Sequence, residues 1–247
     1  MKMTIKLVGF DLDDCLFDST GLSMKARLKG IEAMIKHGLN IEKDEAIKIL
    51  KEIVEEYGSN FSKHYNYFIR RLNQVNKKII LSYNMQYKYV AAAIMAYHKE
   101  KIDSISLYKD VEKCLSKLKE MNIKTAIITD GIPIKQYEKI LRLKIEHLID
   151  LVVITDQIGI RKPNPKLFEY CLKKFEVKGQ ETIYIGDRLD RDIAPAKKNG
   201  IHSVYIHRGG KYDSINKNIT ITNELKPTYE IKSLSELFDI IEDINSK

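Results

Sequence analysis

The sequence predicts an α/β fold, a Rossmann-like parallel sheet with an inserted α-helical cap. Three observations predict it. Short apolar runs recur and end in polar residues, helical segments alternate with them, and one long stretch has helical periodicity with no strand. Strict alternation of strand and helix argues for a parallel sheet with helices on both faces. On such a sheet a ligand lies beyond the carboxyl ends of the strands. The residues that close the strands are therefore where chemistry is expected.

The first strand begins with apolar Ile5, Leu7 and Val8 and runs into "GFDLDDCLFDS", residues 9–19. Residues 16–103 then break the rhythm, with amphipathic helical stretches at about 19–38, 43–57, 63–75 and 84–101. Ser19 and Thr20 suit the cap of the first; Gly38 and Gly58 suit the ends of the first and second. A helical block placed directly after the first strand is expected above the carboxyl edge, as a lid. The predicted division is a catalytic core over 1–15 and 104–247 and a helical cap over 16–103. Four further apolar runs read as strands: "KTAIITDG", "DLVVITDQ", "ETIYIGDR" and "HSVYIHR". Helical segments fall at about 109–121, 133–144, 165–176 and 190–199. Residues 209–228 are polar and turn-rich and predict a surface loop. A short strand near Tyr229–Ile231 and a helix from Ser233 to about Ile244 close the chain.

Composition bounds the function. At 247 residues, with 44% hydrophobic and 31% charged content, the chain fits one large globular domain or two modest ones. No apolar run reaches bilayer length, and no secretory signal is expected. Cys15, Cys114 and Cys171 have neither metal-type nor redox-pair spacing, which predicts free thiols in a reducing, cytoplasmic setting. The net charge of +8 comes from lysines spread over helix faces, so a solvated surface is favoured over nucleic-acid binding. Neither nucleic acid nor membrane is expected as a partner. The aromatic surface of the insert is a candidate homodimer face.

Four short pieces fall at strand ends: Asp11-Leu12-Asp13; Thr129-Asp130-Gly131; Lys162-Pro163; and Gly186-Asp187 with Asp190 and Asp192. Like charges this close repel unless a cation or a proton sits among them. In an extended strand Asp11 and Asp13 share a side, and Asp187 from another strand end can join them. Hard oxygen ligands with open positions suit Mg²⁺ and a phosphate oxygen. Asp11 can then attack phosphorus, and Asp13 can protonate the leaving oxygen and later deprotonate water. Thr129 and the N–H groups around Asp130 and Gly131 suit phosphoryl oxygens, while Lys162 neutralises their charge.

The motifs "DLDDCL", "ITDG", "RKPNP" and "GDRLDRD", in that order, resemble those of the haloacid-dehalogenase-like superfamily, and the helical insert matches the commonest lid of that family. "YGSNFSKHYNYFIRRL", "AYHKEKI" and "KQYEKILRL" are similar to an archaeal branch of Mg²⁺-dependent phosphatases with glyceraldehyde 3-phosphate as substrate. The resemblance implies a nucleophile at Asp11, an acid/base at Asp13 and phosphate binding by Thr129 and Lys162. It implies Mg²⁺ held by the Asp11 side chain, the Asp13 backbone carbonyl and Asp187. Two departures matter. Cys15 stands where Thr or Val is usual, which keeps the packing but exposes the loop to oxidation. Two acids follow Asp187; the family spacing favours Asp192 as the supporting one, holding Lys162 or a metal-bound water, and leaves Asp190 open.

Each piece alone has a plainer reading, because D-x-D, Gly-Asp and Lys-Pro are common turn signals. Their order and placement favour a small-molecule phosphatase over three alternatives: a phosphomutase, a dehalogenase of the same fold, or a non-catalytic basic nucleic-acid binder. His64, Arg70 and Arg71 are candidate substrate readers or a solvated helix face. The tyrosines of "HYNYF" and "YNMQYKY" read as cap core and interface. His98, His147, His202 and His207 form no metal grouping.

Overall fold

The computed structural model describes residues 4–75, 82–216, 220 and 222–247. The chain separates into two compact units, Met1–Thr20 with Ile105–Lys247, and Gly21–Ser104.

The first unit is a six-stranded sheet, parallel throughout. Its strands are β1 (Leu7–Phe10), β2 (Lys124–Thr129), β3 (Leu151–Ile154), β4 (Thr182–Gly186), β5 (His202–Ile206) and β6 (Tyr229–Ile231), in the spatial order β3-β2-β1-β4-β5-β6. The inner strands are near-continuous apolar runs because both faces are covered; every residue of β1 and β4 is buried. The covering helices are α5 (Val111–Glu120), α6 (Pro133–Arg142), α8 (Lys166–Phe175), α9 (Ala194–Lys198) and α11 (Leu237–Ser246). A one-turn α7 (Thr155–Ile158) follows β3. A wide π-helical turn, Leu189–Ile193, follows β4.

One sequence expectation is corrected here. The stretch 209–228 is not all loop, since Lys211–Asn216 forms a short helix, α10. Asp213 fixes its start by accepting hydrogen bonds from the Gly209 N–H at 2.5 Å and the Tyr205 hydroxyl at 2.8 Å. Tyr205 lies outside the stretch and Gly209 at its edge, so the polar composition of 209–228 gave no sign of these bonds. Residues 217–219 and 221 of that stretch lie outside the described residues.

The second unit contains α2 (Lys43–Tyr57), α3 (His64–Val75), α4 (Tyr83–Ser104) and most of α1 (Ser19–Lys36). It has a core of its own, in which Ile31, Met34, Leu50, Phe68 and Leu72 are fully or almost fully buried. Tyr65 and Tyr89 lie in that core, as expected for cap tyrosines. At the start of α1, Asp14 accepts hydrogen bonds from the Thr20 N–H at 2.8 Å and from the Thr20 hydroxyl at 2.6 Å. Among the described residues, no helix is long and apolar enough to cross a membrane.

Candidate active site

The site is set by the neighbours of β1. Phe10 pairs with Ile127 of β2 on one side and Ile185 of β4 on the other. The next residue, Asp11, donates its N–H to the Ile185 carbonyl at 2.9 Å. The carboxyl ends of β1, β2 and β4 therefore lie side by side, at the point where the strand order runs outward in both directions. A crevice forms at such a switch point. It gathers Asp11, Thr129 and Asp187.

Lys162 is the hub. It lies in the loop before α8, its peptide to Pro163 is cis, and its side chain is almost fully buried. Its Nζ lies 2.6 Å from Asp11 Oδ1, 2.7 Å from Asp192 Oδ1 and 2.8 Å from the Tyr184 hydroxyl. Burial disfavours its charge, but Asp11 and Asp192 outweigh this and raise its pKa. Asp192 also accepts the Arg188 N–H at 3.1 Å, which fixes it within the wide turn. A Cβ at Gly186 would meet Asp192 Cγ at 2.4 Å, so only glycine lets this acid lie against the end of β4.

Oxygens of Asp11, Asp187 and Asp192 all lie within 4.8 Å of one another. Three buried carboxylates face one lysine, and the imbalance shows in the proton affinity of Asp11 and Asp187. Burial pushes the Asp11 carboxyl up to about 7 against the pull of Lys162, and Asp192 adds to the rise. Burial, then Asp11 and Asp192, push Asp187 up to about 9. A buried, all-oxygen donor set short of positive charge fits a hard divalent cation such as Mg²⁺.

Asp13 stands apart from this cluster. Both of its oxygens lie 2.7 Å from Lys139 Nζ, and Oδ2 lies 3.2 Å from Gln136 Nε2. Burial pushes its pKa up, but Lys139, with hydrogen bonds from the Ser19 and Gln136 side chains, more than offsets this and holds the carboxyl below its usual range. Thr129 Oγ1 accepts from Gln136 Nε2 at 2.5 Å, leaving the hydroxyl proton free to be donated elsewhere. The Gly131 N–H donates to Thr155 Oγ1 at 3.1 Å. The Asp130 carboxylate receives the Lys162 N–H at 3.3 Å and pairs with Arg191 at 3.2 Å.

Of the two acids after Asp187, Asp192 joins the hub. Asp190 faces outward and pairs with Arg188. Cys15 is fully buried, with Sγ 3.7 Å from the Ile185 carbonyl and a thiol raised well above its usual range, chiefly by burial. A thiol so placed is unreactive, contrary to the expected sensitivity to oxidation. The three candidate substrate readers are engaged within the helical unit. A His64 ring nitrogen lies 3.0 Å from the Gly58 carbonyl, Arg70 lies over the Tyr67 ring, and Arg71 pairs with Glu56 at 2.6 Å. Tyr184, Gln136 and Lys139 were missed from sequence. The one available signal was that Gln136 and Lys139 lie three apart on the helix that follows the Thr129 loop.

The family model for haloacid dehalogenase-like hydrolases matches residues 8–206. A glyceraldehyde 3-phosphate phosphatase of Pyrococcus furiosus is 41% identical over 98% of this chain and 95% of its own. A protein of the same name from Methanopyrus kandleri is 38% identical over 97% of this chain and 98% of its own. The crystal structure of a HAD phosphatase from Thermococcus onnurineus superposes with a TM-score of 0.62 at 25% identity, covering 96% of this chain and 98% of that one.

Proposed function

Because the chain belongs to the haloacid dehalogenase-like hydrolase family, we propose that it is a Mg²⁺-dependent phosphatase acting on a small phosphorylated metabolite through an aspartyl-phosphate on Asp11. The first candidate substrate is glyceraldehyde 3-phosphate, which names its relatives, followed by related triose and sugar phosphates. The observation that carries the reading is the hub, with one buried lysine joining Asp11 to Asp192 while Asp187 stands within reach of both.

Asp11, Asp187 and the Asp13 backbone carbonyl would hold Mg²⁺, with Asp192 in support, and the ion would neutralise carboxylate and phosphoryl charge. The residues of the chain do the rest. Lys162 occupies one oxygen of Asp11, which orients the other for attack on phosphorus. The P–O bond to the substrate breaks as the Asp11–phosphorus bond forms, and Asp13 delivers a proton to the departing oxygen. A dianionic phosphate arriving beside Asp13 raises its proton affinity and so counters Lys139. Asp13 then takes a proton from the water that cleaves the acyl phosphate. The Thr129 hydroxyl and the Asp130 N–H bind the phosphoryl oxygens, whereas the Gly131 N–H, expected to join them, is already donated to Thr155 Oγ1; Lys162 balances the phosphoryl charge.

An acid at Asp13 beside a cluster suited to a metal favours phosphoryl transfer over dehalogenation, which would also use Asp11 as nucleophile but needs neither a metal nor that second acid. Three free, buried cysteines are in keeping with a cytoplasmic setting. The test is phosphate release from glyceraldehyde 3-phosphate and a panel of phosphorylated metabolites, with Mg²⁺ and with chelator. Turnover should require the metal, and Asp11→Asn should abolish it while leaving the circular dichroism spectrum unchanged. Metal-independent release, or an active Asp11→Asn variant, would refute the mechanism.

A further inference from the structure

Two groups with assigned roles, the Asp13 carboxylate and the Thr129 hydroxyl, are not oriented by their own strands. Both are held by one face of α6. Lys139 Nζ lies 2.7 Å from each oxygen of Asp13, and Gln136 Nε2 lies 3.2 Å from Oδ2 of the same carboxylate. That same nitrogen lies 2.5 Å from Thr129 Oγ1 and 3.0 Å from the Asp130 carbonyl. Gln136 is 2% exposed, so this amide bridges the two catalytic loops inside the protein. The Lys139 and Asp13 side chains are 21% and 30% exposed, less open than a solvated surface pair.

The surrounding backbone is shaped for this amide. Gly131 has φ +136°, and a Cβ there would lie 3.3 Å from Gln136 Cδ. Pro133 starts α6, so the helix leaves the Thr129 loop almost at once. Residues three apart on a helix share a face, which places both side chains over the same spot. A carboxylate gripped at both oxygens by an ammonium and at one by an amide cannot turn freely. A proton carrier gains its rate from that kind of fixed aim, and 1 Å of misplacement costs about 100-fold.

We propose that Gln136 and Lys139 form a clasp on α6 that aims the Asp13 carboxylate and the Thr129 hydroxyl at the same phosphoryl group. Both are positioning residues. The proposal rests on the reading of Asp13 as acid/base and Thr129 as phosphate donor.

The experiment compares Lys139→Met, Lys139→Arg and Asp13→Asn on two substrates, glyceraldehyde 3-phosphate and p-nitrophenyl phosphate. The first has an alkyl leaving group that must be protonated; the second leaves unaided. K139M should lower kcat on glyceraldehyde 3-phosphate by about 10- to 100-fold and on the aryl ester by less than about 3-fold. K139R should recover most of the loss. Equal losses on both substrates would mark Lys139 as merely structural. A raised KM with kcat intact would mark it as a substrate anchor. Either outcome overturns the clasp. If D13N shows the leaving-group dependence and K139M does not, the clasp alone fails; if D13N lacks it, the acid/base reading fails first. Should K139M not fold, K139Q takes its place, with the same expected selectivity. Gln136→Met, which breaks the bridge to Thr129, should add a rise in KM for both substrates; an unchanged KM would remove Thr129 from the clasp.

Discussion

Asp187 and Asp11 hold protons more tightly in the fold than in an unfolded chain, where both would titrate near 3.8. Their contribution to stability is therefore full below that pH. It is lost as pH rises through about 7 for Asp11 and about 9 for Asp187. A divalent cation bound there would take the place of those protons, so its stabilising effect would grow over the same range. Saturating Mg²⁺ should raise Tm by about 5 °C or more at pH 8.5 and by much less at pH 5.5. The check is a thermal melt with and without the ion; an increment independent of pH would mean that these acids give up no protons to it. At this scale the sequence showed the acids and Lys162, because each closes a strand or follows one. It could not show the residues that restrain them. Gln136 and Lys139 reach Asp13 across 123 and 126 positions, and Tyr184 reaches Lys162 across 22. No local pattern records such a contact.

At the scale of elements, the end of β4 and the wide turn after it work as one piece. Replacing Gly186 by Ala would force a methyl group into Asp192 and drive that acid away from Lys162. The expected cost is about 1–3 kcal/mol in chemical denaturation, with a fall in kcat well beyond what that loss of stability explains. A variant with normal kcat would show that Asp192 is dispensable to the hub. The strands and long helices were legible to within a few residues because their periodicity is strong. The short α10 was not, since bonds to Asp213 from outside its span outweigh its loop-like composition. The bond from the Thr20 N–H to Asp14, a residue in the left-handed region at φ 61°, was likewise not legible, because it spans six residues across the loop before α1.

For the whole molecule, the main consequence is that each unit has its own apolar core. Phe68 is fully buried in the helical unit, and Phe68→Ala should cost that unit about 3–5 kcal/mol. Calorimetry should then show the helical unit melting early while the sheet unit unfolds near its original temperature. A single transition shifted as a whole would refute separate cores. The presence of a helical insert was readable from the break in rhythm, but the place of β1 between β2 and β4 was not. Pattern gives strands in chain order, whereas their neighbours depend on how the crossovers pack.

All three cysteines lie in the sheet unit: Cys15 after β1, Cys114 on α5 and Cys171 on α8. All are buried, and burial pushes Cys114 and Cys171 up to about 12. A colorimetric sulfhydryl reagent mixed with the native enzyme would therefore stay colourless until the β-sheet half comes apart, and the melting of residues 21–104 would leave no trace in the cuvette. The chain carries a built-in stopwatch for one half of itself.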